Sequence, residues 1–429
     1  MTRFQSIALL GDREFAALAG TAFARSQAYS TILIALALYA DVFQTSGVVE
    51  GLFGTAFAVV QLIVVLPIGR RVDTGNAKRY LLAGFLINVV VFVGFILAES
   101  ALHVILIRMV QGLGASVLWI TGSTIVGEIS PDRAQGLWLG SYNQVAAFSS
   151  LLGDLLGGYL LYAYGFTVPY LVLTAITLGS FVLVYVFLRD DPGGQSEPEE
   201  TDRLSTFRDL LRLPMLRSLV GFRLLFSFGK MAVIIFLPIY ARTSFGLSTF
   251  AIGWIMAGGK LAKAVVQGFV GTLTDRHGHE YRFVAVGALL YGVGAAVIPL
   301  APRAEGLVSP HRITFLGNEQ VFGGAFLVLF VAYLLIGVAD SIRLPASMSL
   351  FVDEGDRYDS VASAMSLRSI SWKIGQVLGP LVVGVTIDVV SMEAGFLLAA
   401  GFIVVATVGY AVRARGAYRR AIAMDDPSQ

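Results

Sequence analysis

Twelve long apolar runs, separated by short polar segments, are the dominant pattern along the chain. The runs cover residues 15–40, 51–69, 80–98, 101–126, 137–163, 167–188, 219–241, 250–272, 283–301, 323–345, 361–387 and 394–412. A helix needs roughly 20 mainly apolar residues to cross a hydrocarbon layer about 30 Å thick, so each run is long enough to span a membrane. Strands of a membrane barrel would instead alternate in polarity over about 10 residues. The pattern therefore predicts an all-α membrane protein with twelve transmembrane helices.

Lys and Arg residues are divided unequally between the loops that such helices would leave on the two sides of the membrane. The loops expected on one side hold only Arg242, Arg303 and Arg312. The loops on the other side, with the C-terminal tail, hold Arg70, Arg71, Lys78, Arg79, Arg133, Arg276, Arg357, Arg413, Arg415, Arg419 and Arg420. Because cytoplasmic loops are enriched in Lys and Arg, this second set and both termini are predicted to be cytoplasmic, in a cell membrane. The N-terminal residues match a cleavable signal peptide poorly, so the first run is expected to remain as a helix.

A polar segment, residues 189–215, separates the first six runs from the last six. It is rich in Asp, Glu, Pro and Gly, and an amphipathic stretch from Ser205 to Leu216 follows. We predict an N-terminal six-helix bundle over 1–188, a cytoplasmic linker with a short amphipathic helix over 189–215, and a C-terminal six-helix bundle with a cytoplasmic tail over 216–429. A solvated connector explains the linker better than a regulatory segment does.

The amino-acid composition mainly excludes certain classes of function. Hydrophobic residues make up 56% of the 429 residues and charged residues only 14%, against about 25% charged in soluble proteins, which indicates that lipid covers most of the surface. The net charge of +2 is too small to indicate nucleic-acid binding. The absence of cysteine excludes thiolate metal sites, and the four histidines lie near the ends of runs or in loops. We therefore predict no catalytic residues, no metal site and no cofactor, and the lack of a Walker motif argues against drive by ATP.

Short motifs recur at corresponding positions in the two halves. The segment Gly69–Asp73 follows the second run, and Gly271–Asp275 follows the eighth. Within the fifth run lies Gly153–Gly158, and within the eleventh lies Gly379–Gly384. Matching positions in two six-helix halves are expected of transporters built from parallel internal repeats.

Four motifs together resemble those of the major facilitator superfamily, and the resemblance covers nearly the whole chain. The segment 271–282 (GTLTDRHGHEYR) is similar to the family's cytoplasmic loop signature, and 69–79 (GRRVDTGNAKR) resembles it with one glycine a position early. Residues 108–114 (RMVQGLG) are similar to the family's Arg-x-x-Gln-Gly motif. Residues 153–158 (GDLLGG) resemble the antiporter-associated Gly-Pro-x-x-Gly-Gly motif, with Asp154 in place of proline.

This resemblance implies a particular fold and working cycle. The fold would consist of two pseudo-symmetric six-helix bundles, with the first, fourth, seventh and tenth helices lining a cavity that opens to either side in turn. The loop motifs would form a conformational gate that holds the cytoplasmic side closed in one state, with the residues Gly69, Asp73, Arg79, Gly271, Asp275, Arg276 and Gly278. Alternating access needs such bistable contacts, because a ligand only shifts populations between existing states. The alternative is that these residues serve only topology and helix capping.

Ionisable residues inside the runs are unevenly distributed. The third, sixth, ninth and twelfth runs contain no Asp, Glu, Lys or Arg, and these are the helices that the resemblance assigns to lipid contact. An ionisable side chain near the bilayer centre costs at least about 2.5–3.5 kcal/mol, so it usually faces a cavity and a partner. Basic candidates outnumber the acidic Asp154 and Asp340, which predicts a cavity that binds an anionic solute through Arg25, Arg108, Lys230, Lys260, Lys263 and Lys373. The alternative is that several of these side chains extend to the membrane interface or are neutral when buried.

Depth along the helices suggests two ion pairs. Counting about 1.5 Å per residue places Arg108 and Asp154 at similar heights, and likewise Asp340 and Arg368. In the functional interpretation, Asp154 or Asp340 exchanges a proton as its basic partner engages the solute. In the structural interpretation, both pairs are permanent.

The sequence thus favours a secondary transporter that moves a small anionic organic solute with proton coupling and works as a monomer surrounded by membrane lipid. Multidrug efflux is an alternative, favoured by the 29 phenylalanines and the glycine-rich fifth run. A non-transporting receptor or scaffold of the same fold is a second alternative, although a static scaffold has no need of gate motifs. A membrane-embedded enzyme is disfavoured because the sequence shows no catalytic constellation.

Overall fold

Long helices dominate the structure of the chain. The computed structural model describes residues 8–131, 134–190, 203–277, 280–315, 318–358 and 360–424. In this part of the chain, twelve helices are long and apolar enough to cross a membrane. They are α1 (Arg13–Phe43), α2 (Gly47–Thr74), α3 (Ala77–Ile96), α4 (Ala101–Ile129), α5 (Gln135–Tyr164), α6 (Thr167–Phe187), α7 (Pro214–Thr243), α8 (Thr249–His277), α9 (Glu280–Val297), α10 (Gly324–Asp356), α11 (Val361–Val389) and α12 (Met392–Met424). The prediction of twelve transmembrane helices is therefore confirmed.

Polar side chains define where several of these helices begin. The Asp12 carboxylate accepts a hydrogen bond from the backbone N–H of Phe15 at the start of α1. Asn76 and Ser100 accept equivalent bonds at the starts of α3 and α4. Each cap satisfies a backbone N–H that helix geometry leaves without an intrahelical acceptor. At the other end of α1, Gln44 adopts the left-handed conformation, with φ of 47°, that commonly terminates a helix.

Two segments between the long helices have regular structure of their own. A ten-residue helix, Arg203–Arg212, occurs where the amphipathic stretch of the linker was expected. Between α9 and α10, a short helix, Ala301–Glu305, precedes an antiparallel hairpin in which His311–Phe315 pairs with Asn318–Phe322. Residues 191–202 of the predicted linker lie outside the described residues.

The chain forms two compact units. The first unit consists of residues 1–45, 52–198 and 238–257. Within it, α1 packs against α4, α5 and α6, while α3 packs against α4 and α6. An apolar core joins these helices, in which the Phe15 and Trp138 rings meet edge to face at 5.2 Å. Arg189, just beyond α6, is tied to α1 by hydrogen bonds to Glu14, and that carboxylate raises the pKa of the Arg189 guanidinium.

The second compact unit repeats the helix packing of the first. It consists of residues 46–51, 199–237 and 258–429. Within it, α9 packs against α10 and α12, and α11 also packs against α10 and α12. The pairs α9–α10 and α9–α12 correspond to α3–α4 and α3–α6, so the same neighbours recur after six helices. This recurrence agrees with an internal repeat, while the predicted division of the sequence at residues 189–215 stays a prediction.

The share of each apolar stretch that is buried inside the protein differs among the helices. Within the apolar stretches, 72% of α7 and 67% of α1 are buried inside the protein, against 28% of α6 and 39% of α3. Large apolar side chains are exposed on the four helices whose apolar runs lack charged residues, among them Val90 on α3, Tyr185 on α6, Val286 on α9 and Val405 on α12. Exposed apolar surface of this extent suits contact with lipid. These four helices therefore carry apolar surface suited to lipid.

Candidate functional site

Three ionisable side chains of the second unit form one connected group, called here the Asp340 cluster: Lys230 on α7, with Asp340 and Arg343 on α10. Asp340 Oδ2 accepts a hydrogen bond from Lys230 Nζ, and Asp340 Oδ1 accepts one from Arg343 Nη2 at 2.9 Å. The exposed fraction of the side chain is 12% for Lys230 and Asp340 and 1% for Arg343. Asp340 and Arg343 lie three residues apart, and therefore on one face of α10. The predicted Asp340–Arg368 pair is wrong, because the carboxylate instead binds a cation on its own helix face and one on α7.

Aromatic rings surround the cations of the Asp340 cluster. The Arg343 guanidinium carbon lies 4.2 Å from the centre of the Phe226 ring. Lys230 Nζ lies 5.3 Å from the centre of the Tyr291 ring and 5.6 Å from that of Trp372. The negative face of an aromatic ring attracts a cation, most strongly where water is excluded. The rings therefore help to hold both cations in a buried position.

Two further arginines extend the positive charge of the Asp340 cluster. Arg223, seven residues before Lys230 on α7, donates from Nε to the Arg368 carbonyl oxygen at 2.8 Å. Its guanidinium lies 5.0 Å from the centre of the Trp372 ring. Arg343 and Arg368 both lie close enough to Arg223 to repel it electrostatically. The described residues around Asp340 thus include four basic side chains in one unit.

Sequence reasoning did not single out Arg223 or Arg343 as part of the site. Arg223 lies only four residues into the seventh apolar run, where a basic side chain is expected to reach the interface. Arg343 lies two residues before the predicted end of the tenth run at residue 345, although α10 continues to Asp356. The sequence did contain a signal for Arg343: it follows Asp340 by three residues, a spacing typical of a side-chain pair on one helix face.

The remaining lysines predicted to bind substrate belong to the same unit. Lys263 on α8 acts electrostatically on both Lys230 and Asp340. Lys260, one turn earlier on α8, and Lys373 on α11 are half-buried. The structure therefore brings Lys230 and Lys263 together around Asp340.

The first unit holds a separate buried cation. Arg108 on α4 is 1% exposed and donates from Nε to the Phe53 carbonyl oxygen at 2.7 Å and from Nη1 to Gln111 Oε1 at 2.6 Å. Its guanidinium also lies 4.4 Å from the centre of the Phe57 ring. Both hydrogen bonds go to uncharged groups. These contacts are neutral, and the pairing of Arg108 with Asp154 expected from depth stays a prediction.

Asp154 and Arg25 also belong to the first unit. Asp154 on α5 is completely buried. The Arg25 guanidinium on α1 lies 5.0 Å from the centre of the Trp119 ring. The predicted substrate-binding residues are thus divided, with Arg25 and Arg108 in the first unit and the four lysines in the second. Within the described ranges, no group of three His, Asp or Glu residues is placed to hold a metal ion.

The glycines beside Asp154 allow α5 to lie very close to its neighbours. A Cβ added at Gly153 would lie 2.8 Å from the Gln27 carbonyl oxygen of α1. At Gly158 it would lie 2.6 Å from the Thr249 carbonyl oxygen at the start of α8. Small residues at such contacts let helix backbones approach within van der Waals distance. This part of the Gly-Asp-x-x-Gly-Gly motif therefore has a packing role.

The predicted cytoplasmic gate is only partly covered by the described residues. Gly69 lies in α2, and a Cβ there would meet nothing within 4 Å. Arg79 is exposed in the first turn of α3. The surroundings of the other gate residues lie outside the described part of the chain: Asp73, Gly271, Asp275, Arg276 and Gly278. The role of this gate stays a prediction.

Carboxylates also join helix ends on the side that the charge pattern places away from the cytoplasm. In the first unit, Asp41 Oδ2 accepts a hydrogen bond from Arg242 Nε at 2.8 Å. In the second unit, the two oxygens of Asp388 accept hydrogen bonds from the backbone N–H groups of Gly47, at 2.5 Å, and Val48, at 2.9 Å. A carboxylate is favoured at a helix N-terminus because the free N–H groups there carry partial positive charge. Asp388 of α11 thus caps α2.

Comparison with known sequences agrees with this architecture. The family model of the Major Facilitator Superfamily matches residues 18–300 and 219–425. The chain therefore belongs to the major facilitator superfamily. An uncharacterized MFS-type transporter of Methanocaldococcus jannaschii is 20% identical over 382 residues, which cover 87% of this chain and 92% of that protein. The synaptic vesicular amine transporter of Homo sapiens is 25% identical over 332 residues, which cover 77% of this chain and 60% of that protein.

Solved structures share the fold. A bacterial homolog of the human lysosomal transporter Spinster, in an inward-facing and unoccupied conformation, superposes with a TM-score of 0.72 at 16% identity, covering 94% of this chain and 97% of that one. A peptide transporter of the POT family superposes with a TM-score of 0.75 at 14% identity, covering 95% of each chain. The protein is thus a multi-pass membrane protein with the two pseudo-symmetric six-helix bundles of this superfamily. Its class is that of secondary transporters of small molecules.

Proposed function

We propose that this protein is a proton-coupled transporter of a small anionic organic solute that works by alternating access. It acts as a monomer surrounded by lipid in a cell membrane, with both termini in the cytoplasm. The excess of basic over acidic side chains around Asp340 is the observation that carries this proposal. Charges buried inside a membrane protein usually face a pathway for a charged substrate, so an unbalanced positive group favours an anion.

Asp340 is the first candidate for proton coupling because it holds Lys230 and Arg343 at the same time. Protonation removes its negative charge and releases both cations, which are then free to bind the anionic solute. Loss of the proton restores the contacts and expels the solute. Since a buried charge without a partner is costly, this exchange keeps the cations paired in both states. Asp154, completely buried on α5, is the second candidate.

Export of amines or of mixed hydrophobic compounds is the competing function. The match to a vesicular amine transporter favours it, as does the glycine-rich α5. Most amines are cations at neutral pH, however, and the positive group around Asp340 would repel them. A receptor or scaffold without transport is the alternative of another class, and it predicts no solute movement in liposomes.

Counterflow in proteoliposomes tests the proposal. Proteoliposomes that contain the protein and are filled with an unlabelled carboxylate should exchange it for labelled carboxylate added outside. A pH gradient should drive accumulation of the labelled carboxylate. Asp340→Asn should abolish accumulation driven by the pH gradient while sparing counterflow, and Asp154→Asn serves as the parallel test of the second candidate. If neither variant alters the pH dependence, the proton coupling is wrong. If only amines exchange, the anionic solute is wrong.

A further inference from the structure

Three arginines beside Asp340 keep hydrogen-bond donors that the described residues do not use. Arg343 and Arg223 are 1% and 7% exposed, and Arg368 is half-buried. Among the residues that the structure describes, none accepts a hydrogen bond from Arg343 Nε or Nη1, from Arg223 Nη1 or from Arg368 Nε. These are four buried nitrogen donors on three neighbouring guanidinium groups.

Aromatic rings cover the flat faces of two of these guanidinium groups. Phe226 lies against Arg343, and Trp372 lies against Arg223. A guanidinium donates hydrogen bonds only in its own plane, because all of its N–H bonds lie there. The rings therefore leave the N–H edges as the part of each group that is available to a ligand.

Charge and hydrogen bonding both indicate that this group of arginines needs an anion. A buried cation is costly unless it is paired and hydrogen-bonded. Asp340 is the carboxylate of this group, and it is already bound to Lys230 and to Arg343 Nη2. Arg223 is repelled by both Arg343 and Arg368. A bound anion would supply the missing acceptors and offset this repulsion.

We infer that Arg223, Arg343 and Arg368 form the binding site for the oxyanion group of the transported solute. The inference rests on the proposed function and names the substrate class: an organic dianion, with dicarboxylates and phosphate monoesters sharing the required chemistry. Guanidinium groups match two oxygens of a carboxylate or phosphate with parallel hydrogen bonds, whereas lysine acts as a point charge. Because five basic side chains, counting Lys263, surround one carboxylate, a dianion balances the site better than a monoanion.

In the second unit, these arginines thus have the role that the sequence analysis assigned to four lysines. Lys230 is held by Asp340 and is available to the solute only when that contact opens. Arg343 and Arg223 keep free donors while the contact is closed. The arginines therefore bind the oxyanion, and the contact between Lys230 and Asp340 opens when the oxyanion is bound.

Binding of succinate, glycerol 3-phosphate and acetate to the purified full chain tests this site. Trp372 is one of four tryptophans and touches Arg223, so dianion binding should change its fluorescence, and Trp372→Phe should remove that change. Arg223→Lys and Arg343→Lys keep the charge but lose the planar hydrogen-bonding edge. We expect each to weaken dianion binding by at least about tenfold, the loss typical of a hydrogen bond to a charged group. Arg217→Lys, an exposed arginine on the same helix, should bind like the wild type.

The outcomes separate this site from the proposed function. A dianion that binds at least tenfold more tightly than acetate, and loses this preference in both lysine variants, supports the site. Preference for succinate over glycerol 3-phosphate, or the reverse, identifies which oxyanion fits. If the wild type transports anions but both variants bind them within twofold of it, the arginine site is wrong and anion transport stands. If the wild type transports no anion, both proposals fail. Arg368→Lys, at a less buried position, provides the same test if the other variants do not fold.

Discussion

Asp340 forms ion pairs with two buried cations, Lys230 and Arg343, at the same time. The protonation state of this one carboxylate therefore determines the net charge of the group. Removing one partner from a buried ion pair costs about 3–5 kcal/mol, because the remaining charge loses its counter-ion. The same energy is available to a solute anion that replaces the carboxylate. Stability and transport therefore depend on the same few atoms.

Asp340→Asn is expected to lower the stability of the protein by about 3–5 kcal/mol, since it leaves both Lys230 and Arg343 without their carboxylate. The double variant with Lys230→Met should regain part of this loss, because one of the two stranded charges is then gone. Thermal unfolding in detergent measures both effects. A double variant no more stable than the single variant would contradict the contact between these residues.

The sequence predicted how deep a charged residue lies along its helix, but not towards which neighbouring helix its side chain points. Lys230 and Asp340 were found because each interrupts a long apolar run, so their depth in the membrane followed from counting residues. Depth says nothing about direction around the helix axis, which is why Asp340 was paired with Arg368 rather than with Lys230 and Arg343. Arg343 was missed because it lies two residues before the predicted end of its run at residue 345. The helix continues past Pro345, since a proline inside a helix removes one hydrogen bond and can kink the helix without ending it.

At the scale of helices, close approach and capping determine which elements touch. Glycines of α5 bring its backbone against α1 and α8, and the two carboxylates of Asp41 and Asp388 join helix ends. Helix packing without a hydrophobic driving force depends on such small residues and polar contacts. The motif in α5 was predictable from the sequence, whereas the partners of Asp41 and Asp388 lie hundreds of residues away and have no local signal.

Gly153→Ala is expected to destabilise the protein by about 1–3 kcal/mol, because the new methyl group meets the Gln27 backbone at 2.8 Å and forces α1 and α5 apart. Gly179→Ala on α6 is the matched control, since a Cβ there meets nothing within 4 Å. That control should be neutral or stabilising by up to about 1 kcal/mol, because alanine favours helix more than glycine does. Equal unfolding temperatures for the two variants would rule out the close packing.

Asp388→Ala removes the carboxylate that caps the start of α2, so this helix end is expected to open more often. Because the natural chain has no cysteine, a single cysteine placed at Ser46 reports the opening without background labelling. A membrane-impermeant maleimide should react with it several-fold faster in the Asp388→Ala background. Glu99→Ala, at an exposed loop position, is the control and should leave the rate unchanged. An unchanged rate in Asp388→Ala would show that this cap does not restrain the helix end.

At the scale of the whole molecule, the fold followed almost entirely from the length and spacing of apolar runs. Twelve spans were predicted because lipid requires long continuous helices, which leaves few alternatives for each run. The hairpin between α9 and α10 was not predicted, since its two five-residue strands lie outside the apolar runs and carry no comparable constraint. Chemistry is harder to predict than fold, because it depends on a few polar contacts between helices far apart in sequence.

Solid-supported membrane electrophysiology on proteoliposomes tests the central claim, that a positive site moves an organic anion, most directly. Succinate and glycerol 3-phosphate jumps should each be compared with an amine and a neutral solute, with and without a pH gradient. The account predicts transient currents for at least one dianion that depend on the pH gradient and fall in Arg223→Lys and Arg343→Lys. Currents evoked by the amine alone, with the dianions silent, would contradict it.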